Sequence, residues 1–337
     1  MMVRFISALI LVSLSFNTFA SETVMRTLKL MGSRYEISVV AASQAEGDRY
    51  IDLAVAEISR IEKSISSWDA ASQTSEVNRN AGIAPVKVDQ ELFQLIERAL
   101  QISKITDGAF DISYAAMDRI WTFDGSLQEM PAEEIIRQSV AKVGYENIVL
   151  NRAEQTVFLK LPGMKIGFGA IGKGYSADRA KALLMEKGVV AGMINASGDL
   201  NCWGQRLDGT PWLVGITNPM NKNRVFAWFP IENSAVVTSG DYEKFVLLKG
   251  KRYAHIIDPR TGYPASGLVS VSIFAPKAEL ADALATSVFV MGIEAGINLV
   301  NQLAGIECIL VDDQGKVYYS KNIKKNEQEM EIAARQK

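Results

Sequence analysis

The chain has 337 residues, 48% of them hydrophobic, and its 36 Lys and Arg against 38 Asp and Glu give a net charge of −2. Both signs are spread along the chain, which excludes the clustered basic surface of a nucleic-acid groove or a polybasic membrane anchor. One His and two Cys exclude a His-rich zinc centre and a disulfide framework.

Residues 1–20 carry one charge, Arg4, ahead of the apolar run FISALILVSLSF and then Asn17, Thr18, Phe19 and Ala20. This is the pattern of a secretory signal peptide, with cleavage expected after Ala20 and export to the periplasm. The run is about twelve residues, short of the roughly 20 that a spanning helix needs. Cleavage leaves 317 residues at a net charge of −3, enough for a large core in one or two domains. No later stretch reads as membrane-spanning, so no stable membrane anchor is expected. Cys202 and Cys308 are read as core residues, with a single bridge between them left open.

Strands are expected at 24–30 and 34–41 around the turn Met31-Gly32-Ser33, the second alternating Tyr35, Ile37 and Val39 in period two. Apolar positions 51, 54, 55, 58, 61 and 65 follow helical spacing, as do 92, 95, 96, 99 and 102 behind an Asp89 cap. A third helix is bracketed by Pro131 and Gly144, with strands near 147–150 and 155–160. The second half repeats the mixture: a helix near 174–187, strands near 192–196, 212–218, 225–230 and 268–275, helices within 278–303, and a strand near 307–312. The tail from Lys321 is expected as an exposed helix or frayed end. Strand pairs alternating with helix pairs favour an α+β fold over strict βαβ winding.

Four segments place Gly, Asp, Thr and the only His where a core would prefer aliphatic residues. In Thr106-Asp107-Gly108-Ala109-Phe110-Asp111-Ile112-Ser113, two carboxylates flank a Gly. This suits either an Asx-type turn or a tight backbone that bonds a ligand while Phe110 lies against it. Gly167-Phe168-Gly169-Ala170-Ile171-Gly172-Lys173-Gly174 opens a helix and lets backbone approach an anion closely. It fits neither dinucleotide nor P-loop spacing, and a close-packed turn stays open. His255 sits where a strand enters the turn Asp258-Pro259-Arg260-Thr261-Gly262. Asp282 and Thr286 are four apart on one helix face, a spacing that suits either a buried Asp–Thr pair or one hard cation such as magnesium.

With Met31-Gly32-Ser33, Ser67-Trp68, Glu76-Val77-Asn78 and Gly82, then DGAFDIS, GAIGKGYSAD, NASGDL, TSGDYE, HIIDPRTGYP and ADALAT, the chain resembles the ApbE family of FAD:protein FMN transferases over roughly residues 24 to 325. The resemblance implies an α+β, T-fold-like unit with duplicated antiparallel-sheet halves and packed helices. Those halves would span roughly 24–165 and 166–325, within a domain at 21–325 and ahead of a polar tail at 326–337. It implies Mg²⁺ on Asp282, Thr286 and the backbone carbonyl of Ala170. FAD, as substrate, would meet Met31, Trp68, Ala109, Phe110, Asp111, Lys173, His255 and Ile256. Many members carry an acidic residue where this chain has Gly167, which can contribute only backbone.

The chemistry so implied moves FMN from FAD to a Ser or Thr hydroxyl of an acceptor flavoprotein and releases AMP. His255 would take the hydroxyl's proton, ahead of Asp241 and Asp258, and Lys173 would meet phosphate charge. The acceptors implied are respiratory flavoproteins facing the periplasm: sodium-pumping quinone reductase subunits, Rnf-type complexes, or a regulator of nitrous oxide reduction. Two further readings use the same residues. One is a periplasmic FAD pyrophosphatase giving FMN and AMP, and the other is a non-catalytic flavin-binding assembly protein.

Overall fold

The structure, a computed structural model, describes residues 21–124, 126–221, 225–240 and 245–323. The signal-peptide segment, Asp241 of the TSGDYE stretch and the tail from residue 324 lie outside the described residues.

The chain opens with the hairpin β1 (Glu22–Leu30) and β2 (Ser33–Ala41), turned at Met31 and Gly32 with φ of 49° and 69°. Helix α1 (Gln44–Ile65) buries Ile51, Ala54, Ile58, Ile61 and Ile65, the stripe expected from its period. Ser43 caps it, its hydroxyl accepting from Glu46 N at 3.3 Å. After α2 (Gln73–Arg79) and β3 (Val86–Lys87), α3 (Gln90–Ile105) begins at Asp89, whose carboxylate accepts from Leu92 N at 2.7 Å. Helix α4 (Glu133–Ser139) is shorter than the Pro131–Gly144 bracket. It buries only Ile136 and Ser139, and Ser139 bonds back to the Ile136 carbonyl at 2.7 Å, so little packing sustains a longer helix.

Strands β4 (Ile148–Asn151) and β5 (Thr156–Leu159) close a small sheet with β3. Then come α5 (Gly172–Glu186), β6 (Gly192–Ala196), β7 (Asp199–Trp203), and the hairpin β8 (Trp212–Thr217) with β9 (Val225–Ile231). Strand β10 (Ala235–Gly240) precedes a second hairpin, β11 (Phe245–Leu248) and β12 (Lys251–Ala254). The chain continues through β13 (Leu268–Ala275), α6 (Ala278–Met291), α7 (Ile293–Val300), β14 (Glu307–Asp312) and β15 (Val317–Tyr319). Gly292, at φ 80°, parts α6 from α7.

Eight strands form one antiparallel sheet in the order β1-β2-β6-β7-β10-β13-β14-β15. The hairpin at the start of the chain thus pairs with strands that come more than 150 residues later, β2 lying against β6 with Ile37 opposite Ile194. Helices α1, α5 and α6 lie side by side across one face, over β1–β2, β6–β7 and β10–β13 respectively. A core of Ile37, Val39, Ile58, Ile194 and Trp203 fills the space beneath α1 and α5. Val271, Ile273, Leu284, Val288 and Leu310 do the same beneath α6. The β8–β9 hairpin covers Leu200, Cys202 and Val236 on the opposite face.

Cys202 and Cys308 are buried free thiols, on β7 and β14. With β10 and β13 between those strands, they stand about 14 Å apart at ordinary strand spacing, beyond the reach of a disulfide.

Candidate active site

Alternation along a strand sends Asp199, Asn201 and Trp203 of β7 toward the helices and Leu200 and Cys202 away. Asp199 therefore stands beneath the first turn of α5 and beside α6, with 2% of its surface exposed. Lys173 Nζ donates to its Oδ2. Asp282, 4% exposed, accepts from Gly174 N at 3.0 Å and lies near enough to Asp199 for the two charges to oppose each other. One turn along α6, Thr286 Oγ1 lies 3.5 Å from Ser239 Oγ of β10. Tyr35 closes the group from β2, its hydroxyl 3.0 Å from Ser176 Oγ.

This close approach of α5 and α6 needs Gly174. A Cβ there would stand 2.2 Å from the Ala278 carbonyl oxygen and 2.9 Å from Asp282 Cβ. The glycine thus serves packing and, by the same contact, sets its N–H on the Asp282 carboxylate. That bond satisfies one of the donors that the start of a helix leaves unpaired. Ile171, at the head of α5, supplies no side-chain cap.

Burial raises the pKa of both carboxyls, and the Asp282 charge pushes Asp199 up further. Burial alone would lower Lys173, but Asp282 and Asp199 outweigh it and hold the ammonium above its ordinary range. The cluster therefore sets two buried carboxyls against one cation, with the hydroxyls of Tyr35, Ser176, Ser239 and Thr286 nearby, an arrangement short of positive charge. Among the described residues no group of three or more His, Cys, Asp and Glu side chains forms a metal cage.

Lys173 is also on the wall of a cleft of about 820 Å³. Met31, Trp68, Tyr114, Arg119, Phe168 and Gly169 line it as well. Met31 holds its left-handed backbone with its N–H on Glu62 at 3.2 Å, and its sulfur accepts from Tyr35 at 3.1 Å. Trp68 is 80% exposed. Tyr114 Oη accepts from Gly169 N at 3.2 Å, so the glycine-rich segment presents backbone to this cleft.

The other expected residues divide between packed and solvent-exposed positions. Ala109 and Phe110 are 1% and 2% exposed and do not line the cleft. Asp111 accepts from Ser113 N, Ser113 Oγ and Tyr145 N, each at 2.7 Å, the Asx-turn option for this segment. Gly167 is buried, donates its N–H to the Ile112 carbonyl at 2.8 Å, and lies where a Cβ would meet Ala115 at 3.0 Å. Ala170 is half-buried just before α5. His255 is exposed past the end of β12, its ring edge-on to Phe123 at 6.5 Å. Ile256 is half-buried, and Ile257 lines the cleft. Arg260 braces this turn by bonding Asp258 and, at 3.4 Å, the Asp107 carbonyl.

The structure thus joins Lys173, Asp282 and Thr286 in one cluster and Met31, Trp68 and Lys173 in one cleft, with Lys173 common to both. Sequence reasoning missed Asp199, Tyr114 and Arg119. Asp199 had a signal, an acid directly after Asn195-Ala196-Ser197-Gly198 at the head of an otherwise buried strand.

The ApbE family model matches residues 31–310. An FAD:protein FMN transferase of Klebsiella pneumoniae (strain 342) is 32% identical over 284 residues, 84% of this chain and 87% of the relative. That of Treponema pallidum (strain Nichols) is 33% identical over 270 residues, 75% and 74% of the two chains. Among solved structures, the ApbE protein of Thermotoga maritima superposes with a TM-score of 0.80 at 30% identity, covering 89% of this chain and 97% of its own. The flavin transferase ApbE of Vibrio cholerae gives 0.77 at 26%, covering 89% and 98%.

Proposed function

The chain belongs to the ApbE family, and from that premise we propose that it is an FAD:protein FMN transferase acting with magnesium in the periplasm. The observation that carries this reading is Lys173, which belongs both to the wall of a dinucleotide-sized cleft and to the buried Asp199–Asp282 cluster. A pyrophosphate drawn to that ammonium lies beside a group of oxygen donors short of positive charge.

The donor set fits magnesium. Carboxylate and hydroxyl oxygens are its preferred ligands, and a site with few carboxylates leaves positions for substrate phosphates. Asp282, Thr286 and the Ala170 carbonyl would hold it, and its chemistry there would be charge neutralisation at the pyrophosphate.

The chain's own residues carry the remaining steps. Asp199 fixes the Lys173 ammonium at the cleft wall, where it offsets phosphate charge. Met31 and Phe168 add apolar surface to the cleft wall, against which the rings of FAD can lie. His255 is exposed, two residues before the cleft-lining Ile257, where a protein hydroxyl can reach it. Histidine is the side chain whose ordinary pKa, about 6.5, suits proton uptake near neutrality. The acceptor oxygen bonds to the FMN phosphorus as the bond to the AMP oxygen breaks. The hydroxyl proton passes to His255, and AMP leaves as a phosphate monoester. Export rests on residues 1–20, and the acceptor is a respiratory flavoprotein on the same side of the membrane.

The test is incubation of the mature chain with FAD, magnesium and a candidate acceptor, read by intact-protein mass spectrometry and by AMP release. One FMN on a Ser or Thr per AMP released is expected. AMP without an adduct would replace the transferase with a pyrophosphatase, and intact FAD retained by the chain would make it a carrier.

A further inference from the structure

Trp68 stands out among the large apolar side chains, because its ring is 80% exposed although the loop beneath it is well braced. Ser66 Oγ accepts from Trp68 N at 3.2 Å and from Asp69 N at 3.1 Å, and Ser72 Oγ donates to the Ser66 carbonyl. Ala71 N adds a bond to Asp69 Oδ1 at 2.9 Å. The indole is held out into the cleft by its own loop.

The Arg119 guanidinium lies 5.0 Å from the centre of that ring. It comes from a separate segment with its own anchors: Asp118 N donates to the Ser139 carbonyl at 3.1 Å, and Trp121 Nε1 to the Gly262 carbonyl at 2.8 Å. Two independently fixed segments therefore bring a cation and an aromatic ring together at one cleft wall. A guanidinium over a ring is attractive in itself, and it leaves its N–H edges free to meet a ligand. Both residues share the cleft with Lys173.

From this geometry we infer that Arg119 is a further substrate-binding residue: it clamps the Trp68 indole from one side, so that the pair offers one stacking surface and a guanidinium edge to one planar ring of the dinucleotide. The inference rests on the FAD reading above. FAD carries an aromatic ring on each side of its pyrophosphate, so a ring lodged at the clamp places the phosphates toward Lys173. Isoalloxazine and adenine share the chemistry a stacked Trp–Arg pair recognises, and binding of their separate fragments tells them apart.

The experiment is calorimetric titration of the full-length mature chain with FAD in EDTA, which suppresses turnover, and then with FMN and ADP as single-ring probes. Arg119→Ala should weaken FAD binding roughly 3- to 30-fold, the range expected for a cation–π contact at a partly desolvated site. Arg119→Lys should regain part of the loss. The double variant with Trp68→Ala should bind no more weakly than Trp68→Ala alone, because the two side chains act as one unit. Whichever of FMN and ADP loses affinity alongside FAD identifies the clamped ring.

In the transferase assay the Arg119→Ala loss should fall on KM for FAD, with kcat within about threefold. Native chain that binds FAD as tightly as Arg119→Ala does would overturn the clamp and leave the FAD reading standing, as would strictly additive losses. Native chain that binds none of the three ligands would end both. Arg119 is exposed, so its variants should melt with the native chain.

Discussion

Asp178 of α5 accepts from Ala278 N at 2.9 Å and from Glu279 N at 3.0 Å, and so caps the start of α6. Burial pushes its carboxyl up to about 6, the Glu279 charge adds to the rise, and the two N–H bonds oppose it. The folded pKa lies above the unfolded one, so its contribution to stability is complete below the ordinary carboxylate range. It is lost as pH rises through about 6. The size of the effect is about 3 kcal/mol at most, from a shift of about two units. Asp199, Asp282 and Asp111 shift in the same direction, so the informative quantity is a difference between proteins. Asp178→Asn should flatten the decline in denaturation free energy between pH 4.5 and 7.5 relative to the native chain. Parallel profiles for the two would show that Asp178 does not ionise over that range. At this scale the sequence spoke through residue spacing, and only for some residues. Asp282 and Thr286 were legible because a helix fixes what lies four residues apart. Arg119 was not, since no local rule ties it to a ring 51 positions earlier.

Helices α5 and α6 meet at Gly174, and their contact makes the site. Gly174→Ala would drive a Cβ into the Ala278 carbonyl at 2.2 Å, an overlap with rigid backbone that only helix separation relieves. We expect a loss of about 2–4 kcal/mol in denaturant titration, at the upper end for overpacked positions. We also expect loss of transferase activity at temperatures where the variant is still folded, because separation takes Gly174 N away from Asp282. Full activity in a folded Gly174→Ala protein would show that the close approach is not needed for the chemistry. The elements themselves were unequally legible. Helices α1 and α3 carry regular apolar stripes and side-chain caps, and both emerged where their periods put them. Strands β7 and β10 were missed because Asp199, Asn201, Thr238 and Ser239 interrupt their apolar pattern. Two of those polar residues are site residues, so the strands hardest to read are the ones whose local preference gives way to the chemistry they hold.

At the scale of the molecule, the sheet order is what joins Lys173, Asp199 and Asp282, and pairing between strands distant in sequence has no local signature. The cleft likewise draws its walls from the β1–β2 turn, the end of α1, the segment after α3 and the start of α5. A ligand spanning those walls stabilises the folded chain in proportion to its binding free energy, about 2.7 kcal/mol at a hundredfold excess over Kd. Thermal unfolding with FAD should therefore rise by several degrees, and rise further with magnesium than with EDTA. Asp282→Asn keeps an oxygen for the Gly174 N–H but loses the charge. It should retain the shift that FAD gives in EDTA, which Lys173 and the cleft walls provide, and lose the magnesium-dependent increment. Native protein that melts alike in magnesium and EDTA would remove the cation from the site. An Asp282→Asn variant that keeps the increment would move the cation away from Asp282.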